Sequence, residues 1–300
     1  MPPSINYDSP LALRAFLDSR GLGMRKKYGQ NFLVRAGARE KLIHALEVKR
    51  GDEVWEIGPG LGAMTGGLLE AGAMVKAFEI DPAFSAVLGD LFGEKENFSL
   101  VRGDVKKTWR TIRPLQEYPL LLGNLPYNIG AGLLGDFIEG GRLFRRVVVP
   151  LQREVARRIM AGPGTADYSS LSVLCASSYT VTPLMVLKGS AFYPAPRVDS
   201  QGLRLDLRDG RPEPPPLFYP LVRRLFSSRR KTLRNNLTGF LSSLSRGMLG
   251  KGRGITPAEG AMESLALGGI SGDLRAEKLA PGDFISLALA INRVVSGESA

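Results

Sequence analysis

The sequence predicts an α/β fold: an open, mostly parallel sheet with flanking helices, followed by a smaller C-terminal all-helical domain. Three observations predict it. From Val54 onward short apolar runs alternate with helical spacing, as parallel strands joined by crossover helices require. Four successive runs end in a residue suited to ligand contact, Gly58, Glu79, Asp104 and Asn124. In an open α/β sheet the ligand lies at those carboxyl ends. Finally, Pro214-Pro215-Pro216 cannot continue a helix or a central strand, and residues 217–293 beyond it are helical in pattern.

The elements follow in order. Residues 1–24 read as an extension ending in a short helix over Leu11–Leu17, and no role is assigned to them. A basic cluster, Arg25-Lys26-Lys27, precedes the polar-aromatic turn Tyr28-Gly29-Gln30-Asn31-Phe32-Leu33, and Arg39–Leu46 has helical spacing. The first strand ends at Gly58, with a helix over about Met64–Ala71. The strand Met74–Ile80 leads into a helix over Pro82–Leu91, with proline at a natural first helical position. Strands follow at Phe98–Arg102, Leu120–Leu122 and Arg146–Leu151, then a helix at Gln152–Ile159. Residues 170–207 are expected to hold further strands, among them Leu203–Leu207, with a proline-stiffened loop over Ala191–Ser200.

Composition narrows the class of partner. Three hundred residues with 44% hydrophobic allow one large domain or two ordinary ones around a real core. Forty Lys and Arg against 29 Asp and Glu give +11, which favours polyanions, nucleic acid first and an anionic membrane second. Cys175 is the only cysteine, so no internal disulfide forms and a reducing compartment is expected. The first residues lack a leader pattern and no 18-residue apolar run occurs, so a cytoplasmic protein without a membrane span is expected. His44, the sole histidine, has no partner for a metal site or a triad and reads as a helix-surface or packing residue.

The chemistry concentrates in two stretches. Val54-Trp55-Glu56-Ile57-Gly58-Pro59-Gly60-Leu61-Gly62 is a buried strand running into a glycine turn, and alternate glycines let backbone approach a ligand closely. The spacing is G-x-G-x-G, not that of dinucleotide enzymes, and no P-loop lysine follows. Glu79, at the next strand tip, stands where an acid holds ribose hydroxyls, so the pair points to an adenosine-containing ligand.

In Asn124-Leu125-Pro126-Tyr127 the proline stiffens the turn and aims the Asn124 side chain and the neighbouring carbonyls into one cavity. Tyr127 offers a face for a stacked base. An exocyclic amine on adenine is a poor nucleophile because its lone pair is delocalised into the ring. Hydrogen bonds from its N–H groups to the Asn124 oxygen and a backbone carbonyl would localise that pair, and an electron-rich ring would stabilise a sulfonium donor. This is catalysis by positioning and electrostatics, with no metal required. The competing structural roles are a helix cap at Asp104, a surface ion pair at Glu79, and core packing at Leu33 or Phe192.

These motifs resemble the class I S-adenosylmethionine (SAM) methyltransferases with a Rossmann-like sheet, acting on exocyclic amines. More narrowly, Tyr28–Leu33, Gln152-Arg153-Glu154-Val155-Ala156, Phe192–Ser200 and Arg229-Arg230-Lys231-Thr232-Leu233-Arg234-Asn235-Asn236-Leu237 resemble the ribosomal RNA adenine dimethyltransferase family, KsgA type, over about residues 25–295. The resemblance implies SAM-dependent N6,N6-dimethylation of two adjacent adenosines near the 3′ end of 16S rRNA in the 30S subunit, late in its assembly. It implies that Asn31 and Leu33 close over SAM and that Gly58, with Gly60, faces its amino-acid part. Glu79 binds the ribose, Asp104 the adenine amine, and Asn124 serves both cofactor and target. Leu125 joins the catalytic set, with Tyr127 and Phe192 as the stacking pair for a flipped adenine.

Two departures stand out. Trp55 replaces a small aliphatic residue and should affect packing more than chemistry, and Ser169 stands where the family places glycine. On a helix Arg223, Arg230 and Arg234 share a face, a stripe that tracks a phosphate backbone, and with Lys231 they are the expected RNA-binding residues. The expected organisation is an extension over 1–24, a SAM-binding domain over 25–207 and a helical rRNA-recognition domain over 217–295, in a monomer. Two alternatives remain: the large-subunit methyltransferases of macrolide resistance, disfavoured by the Val198-Asp199-Ser200 ending and the Arg-Arg-Lys-Thr stretch, and a scaffold that binds RNA without turnover.

Overall fold

A computed structural model describes residues 5–25, 28–126, 129–244 and 254–297. The chain folds into two compact units: residues up to Ala156 with Thr180–Leu207, and Arg157–Tyr179 with Arg208 onward.

The first unit is built on a seven-stranded sheet. Its strands are β2 (Glu53–Ile57), β3 (Met74–Glu79), β4 (Phe98–Arg102), β5 (Leu120–Gly123), β6 (Arg146–Gln152), β7 (Tyr179–Leu187) and β9 (Ser200–Leu207), in the order β4-β3-β2-β5-β6-β9-β7. The pairs among β2 to β6 are parallel, and β9 runs antiparallel to β6. A separate two-residue ladder joins β1 (Phe32–Leu33) to β8 (Phe192–Tyr193). This is the expected α/β class. Every residue of β2 is buried, which fits a central parallel strand covered on both faces.

Register brings the strand tips together. Ile57 pairs with Phe78 on one side and Gly123 on the other, so Gly58 lies between the ends leading to Glu79 and Asn124. Glu79 pairs with Arg102, just short of Asp104. Crossovers are made by α3 (Thr65–Glu70), α4 (Pro82–Phe92), α5 (Val105–Thr108) and α6 (Gly130–Glu139), and the helix expected after β6 forms as α7 (Arg153–Met160). Pro82 takes the first position of α4, and Asp81 caps it by accepting from the Ala83 N–H at 3.0 Å. The helix α2 (Ala36–Leu46) buries Leu42 and Leu46 against the sheet.

Trp55 fills the middle of this core, fully buried. Its ring centroid lies 4.8 Å from that of Phe78 and 5.6 Å from that of Phe144, and its indole N–H donates to Glu53 at 2.9 Å. Residues 5–24 are also ordered into this unit: α1 (Pro10–Ser19) packs Leu13 and Leu17 against Phe32, Leu61, Phe84 and Val87.

In the second unit, α9 (Phe218–Ser227) buries Phe218, Leu221, Val222 and Leu225, the i, i+3, i+4, i+7 face of an amphipathic helix. It packs with α10 (Leu233–Ser243) and α12 (Pro281–Ser296), and α11 (Pro257–Leu267) packs on both α10 and α12.

The strands expected within 170–207 form as β7, β8 and β9, and Ser170–Ser178 ahead of them forms a helix, α8, whose start is closed by the Ser169 N–H donating to the Ser172 hydroxyl at 3.0 Å. Residues 157–179 also group with the helical unit rather than with the sheet. The reason is packing: Tyr168 is buried, stacks edge-on against Phe226 at 5.7 Å and donates its hydroxyl to the Leu279 carbonyl at 2.9 Å.

Candidate active site

The site grows from the glycine turn. Gly58 and Gly60 have φ of 70° and 60°. A Cβ at Gly58 would stand 3.0 Å from the Asn124 carbonyl oxygen, and one at Gly60 3.2 Å from the Phe32 ring, so both conformation and space demand glycine. The Gly58 N–H donates to the Phe78 carbonyl at 3.0 Å, tying the turn to the end of β3.

Glu79 sits at that end, buried. Its carboxylate accepts from the Gly60 N–H at 3.1 Å and the Asp81 N–H at 2.8 Å. Burial pushes its pKa up to about 7, against the pull of those backbone donors. It therefore holds the glycine turn and the strand tip in one arrangement. Asp104 both lines the pocket and caps α5, accepting from the Lys106 N–H at 3.0 Å.

From the other side, the Asn124 Nδ2 donates to the Asn31 carbonyl at 2.7 Å. With the nitrogen fixed, the side-chain oxygen is the acceptor left for a ligand. The Asn31 Nδ2 donates in turn to the Gly29 carbonyl at 3.1 Å. Gln30 locks the same turn, donating to Asp81 at 2.8 Å and accepting from the Arg25 N–H at 2.8 Å. Gln30, Asn31, Gly58, Glu79, Asp104 and Asn124 together line a cleft at the strand tips that is open to solvent. Among the described residues no group of three or more His, Cys, Asp or Glu is placed to hold a metal ion, and no helix is long and apolar enough to cross a membrane.

Of the predicted residues, Asn31, Gly58, Glu79, Asp104, Asn124 and Leu125 line this pocket. Gly60 acts one step behind it through its bond to Glu79. Leu33 and Phe192 face each other across the β1–β8 ladder, 3% and 4% exposed, within the hydrophobic core. The open stacking face expected of Phe192 is thus not present: its ring fills the core instead. Tyr127, Lys26 and Lys27 lie outside the described residues.

The pocket also uses Tyr28, Gln30, Phe78, Ile80, Val105 and Ile129, none of which the sequence singles out as a site residue. Ile80 and Val105 directly follow the strand-tip acids, and that adjacency is the signal that could have found them. Glu56, equally unmarked in sequence, is fully buried. Its Oε2 accepts from the Thr65 hydroxyl at 2.7 Å while Oε1 has no protein partner. Burial pushes its pKa up to about 7; the Thr65 bond opposes this and the nearby Glu79 charge adds to it.

The basic residues prove less regular than one helical stripe. Arg223 is on α9, Arg230 and Lys231 are in the turn after it, and Arg234 is on α10; all four are exposed. The helix breaks at Ser228–Thr232, where buried Asn236 donates to the Ser228 carbonyl at 3.1 Å and holds the turn. Arg234 pairs with exposed Asp273 at 3.4 Å, an interaction of little energetic weight.

The sequence model of ribosomal RNA adenine dimethylases matches residues 21–259. The chain belongs to that family. It is 41% identical over 292 residues to the ribosomal RNA small subunit methyltransferase A of Treponema denticola, covering 96% of this chain and 95% of the relative. Its identity to the protein of the same name in Borreliella afzelii is 38% over 240 residues, 80% and 84% of the two chains. The crystal structure of a dimethyladenosine transferase from Plasmodium falciparum superposes with a TM-score of 0.73 at 27% identity, over 86% of this chain and 96% of that one. A 23S rRNA methyltransferase, ErmE, shares the fold with a TM-score of 0.60 at 20% identity, over 87% and 99%. The chain is therefore a SAM-dependent methyltransferase with a Rossmann-like sheet, acting on adenine in ribosomal RNA.

Proposed function

We propose that this enzyme dimethylates N6 of two adjacent adenosines near the 3′ end of 16S rRNA within the 30S particle, late in small-subunit assembly, as a cytoplasmic monomer. The small-subunit names of its relatives support that choice of substrate over the large subunit. The observation that carries the chemistry is Asn124, held by Asn31 at the mouth of β5 beside the glycine turn.

The residues fit SAM. Left-handed Gly58 lets backbone form the wall where an amino-acid group would lie, Glu79 and Asp104 offer carboxylates for ribose and adenine amine, and Phe78, Ile80 and Val105 supply apolar walls. When bound, SAM supplies a methyl on a sulfonium, which N6 takes as the carbon–sulfur bond breaks. The protein's part is positioning. The Asn124 oxygen and a carbonyl of the Asn124–Leu125 segment accept from the amine N–H groups and keep the lone pair aimed at the methyl, and the proton that N6 releases after transfer goes directly to water. Tyr127 is assigned the stacking face for the flipped base. None of these groups is consumed: monomethylated N6 keeps one N–H, which one of the two acceptors holds while a second SAM supplies the second methyl.

We assign SAM binding to the sheet unit and rRNA recognition to Arg223, Arg230, Lys231 and Arg234 of the helical unit, since exposed cations follow a phosphate backbone. Transfer of labelled methyl from SAM to undermethylated 30S particles, with none to 50S particles, tests the substrate choice. Label on 50S particles alone would overturn it.

A further inference from the structure

Residues 5–20 precede the family match, which begins at residue 21, and they carry no motif that suggests a role. In the structure they grip both walls of the pocket. Ser9 caps α1 by accepting from the Ala12 N–H at 3.2 Å, and Pro10 takes its first turn, which fixes Tyr7 and Asp8 just ahead of the helix. The Tyr7 hydroxyl donates to the Leu61 carbonyl at 2.8 Å, inside the glycine turn. Asp8 pairs with buried Arg39 at 2.6 Å, and Arg39 donates to the Leu33 carbonyl at 2.8 Å, holding the segment that carries Asn31 and Phe32. The Arg39 guanidinium also lies over the Tyr7 ring, 5.9 Å from its centroid. Leu13 and Leu17 pack in the cluster that contains Phe32, which lines the pocket and abuts Gly60.

We propose that Tyr7 is a positioning residue for the cofactor: through the Leu61 carbonyl its hydroxyl fixes the glycine turn in the form that receives SAM, and residues 5–20 act as a strap over that turn. The proposal rests on this pocket being the SAM site. The turn has three glycines with positive φ, Gly58, Gly60 and Gly62, and so carries much conformational freedom in isolation. A bond to buried Leu61 within it removes freedom that binding would otherwise have to remove. Burial pushes the Tyr7 phenol up to about 12, with Glu56 adding to the shift and Arg39 opposing it, so the hydroxyl remains a donor through neutral pH.

The test is Tyr7→Phe, which keeps the ring and its packing and removes only the donor. Calorimetric titration with SAM should show a Kd weakened about 3- to 10-fold, the range one net hydrogen bond supports. KM for SAM should rise in parallel, with kcat and KM for 30S particles unchanged. A purely structural role would lower the melting temperature without that split. Arg20→Ala, which breaks the exposed Arg20–Asp90 pair between α1 and α4, is the control and should leave SAM affinity unchanged. Equal SAM affinity in wild type and Tyr7→Phe, or equal weakening in Arg20→Ala, would overturn the proposal alone. No SAM binding by the wild type would overturn the pocket assignment with it.

Discussion

The side-chain nitrogen of Asn124 donates to the backbone carbonyl of Asn31 at 2.7 Å, across 93 residues of sequence. This bond sets which face of the amide meets a ligand. Asn124→Ala removes both the acceptor and the tie to the 28–32 turn. We predict a fall in kcat of at least about 100-fold, the scale for losing an oriented catalytic hydrogen-bonding group. Binding to 30S particles, measured by filter retention, should change less than about 2-fold, because phosphate contacts carry that affinity.

Reversing charge at Arg230 and Arg234 should do the opposite. Both are exposed on the helical unit, so Arg230→Glu with Arg234→Glu should weaken binding to 30S particles and lower the slope of log K against log salt by roughly one for each phosphate no longer neutralised. SAM affinity should not move. A salt slope equal to that of the wild type would remove these residues from the interface.

Glu56 gives a prediction about pH. Its folded pKa is raised from 4.5 to about 7 by burial, and its Oε1 has no protein partner. A raised carboxyl pKa means that the folded chain holds its proton more tightly than the unfolded chain does. The contribution to stability is therefore complete below about pH 4.5 and is lost as pH rises through about 7. Glu56→Gln, neutral at every pH, should gain on the wild type as pH goes from 5 to 8. The cofactor-free melting temperature should differ by about 3 °C at pH 8, the scale of one kcal/mol in a chain of this size, and by little at pH 5. A constant difference across that range would contradict the assigned shift.

Trp55 tests the core beneath the site. Trp55→Ala should destabilise the chain by about 3–5 kcal/mol, the usual range for a buried large aromatic. It also leaves Glu53, 1% exposed, without the indole donor. Urea denaturation measures this. At temperatures where the variant remains folded, its SAM affinity should stay within about 2-fold of wild type, since Trp55 reaches the pocket only through Phe78.

Much of this molecule is legible in its sequence because parallel strands leave a regular signature. The runs ending at Gly58, Glu79, Asp104 and Asn124 stand out as a series, and register then brings those ends to one pocket. What escapes is decided by packing between distant segments. Ser170–Ser178 suits strand or helix by local pattern, and it folds as a helix that buries Val173, Leu174 and Cys175. Phe192 reads as a stacking ring with core packing as its competitor, and its partner Leu33, 159 positions away, is invisible to local pattern. Arg223 to Arg234 reads as one helix because the buried Asn236 that holds the intervening turn has the same polar character as exposed Asn235. Residues 5–20 carry no motif, and only long-range contacts such as Tyr7 with Leu61 and Asp8 with Arg39 reveal what they touch.

The most direct test of the assigned reaction is to map its product. Undermethylated 30S particles would be incubated with this protein and isotopically labelled SAM, and the 16S rRNA digested and read by mass spectrometry. The predicted result is N6,N6-dimethyladenosine at two neighbouring positions near the 3′ end and nowhere else. Single methylation only, label at any other site, or no label from a protein that binds SAM would contradict it.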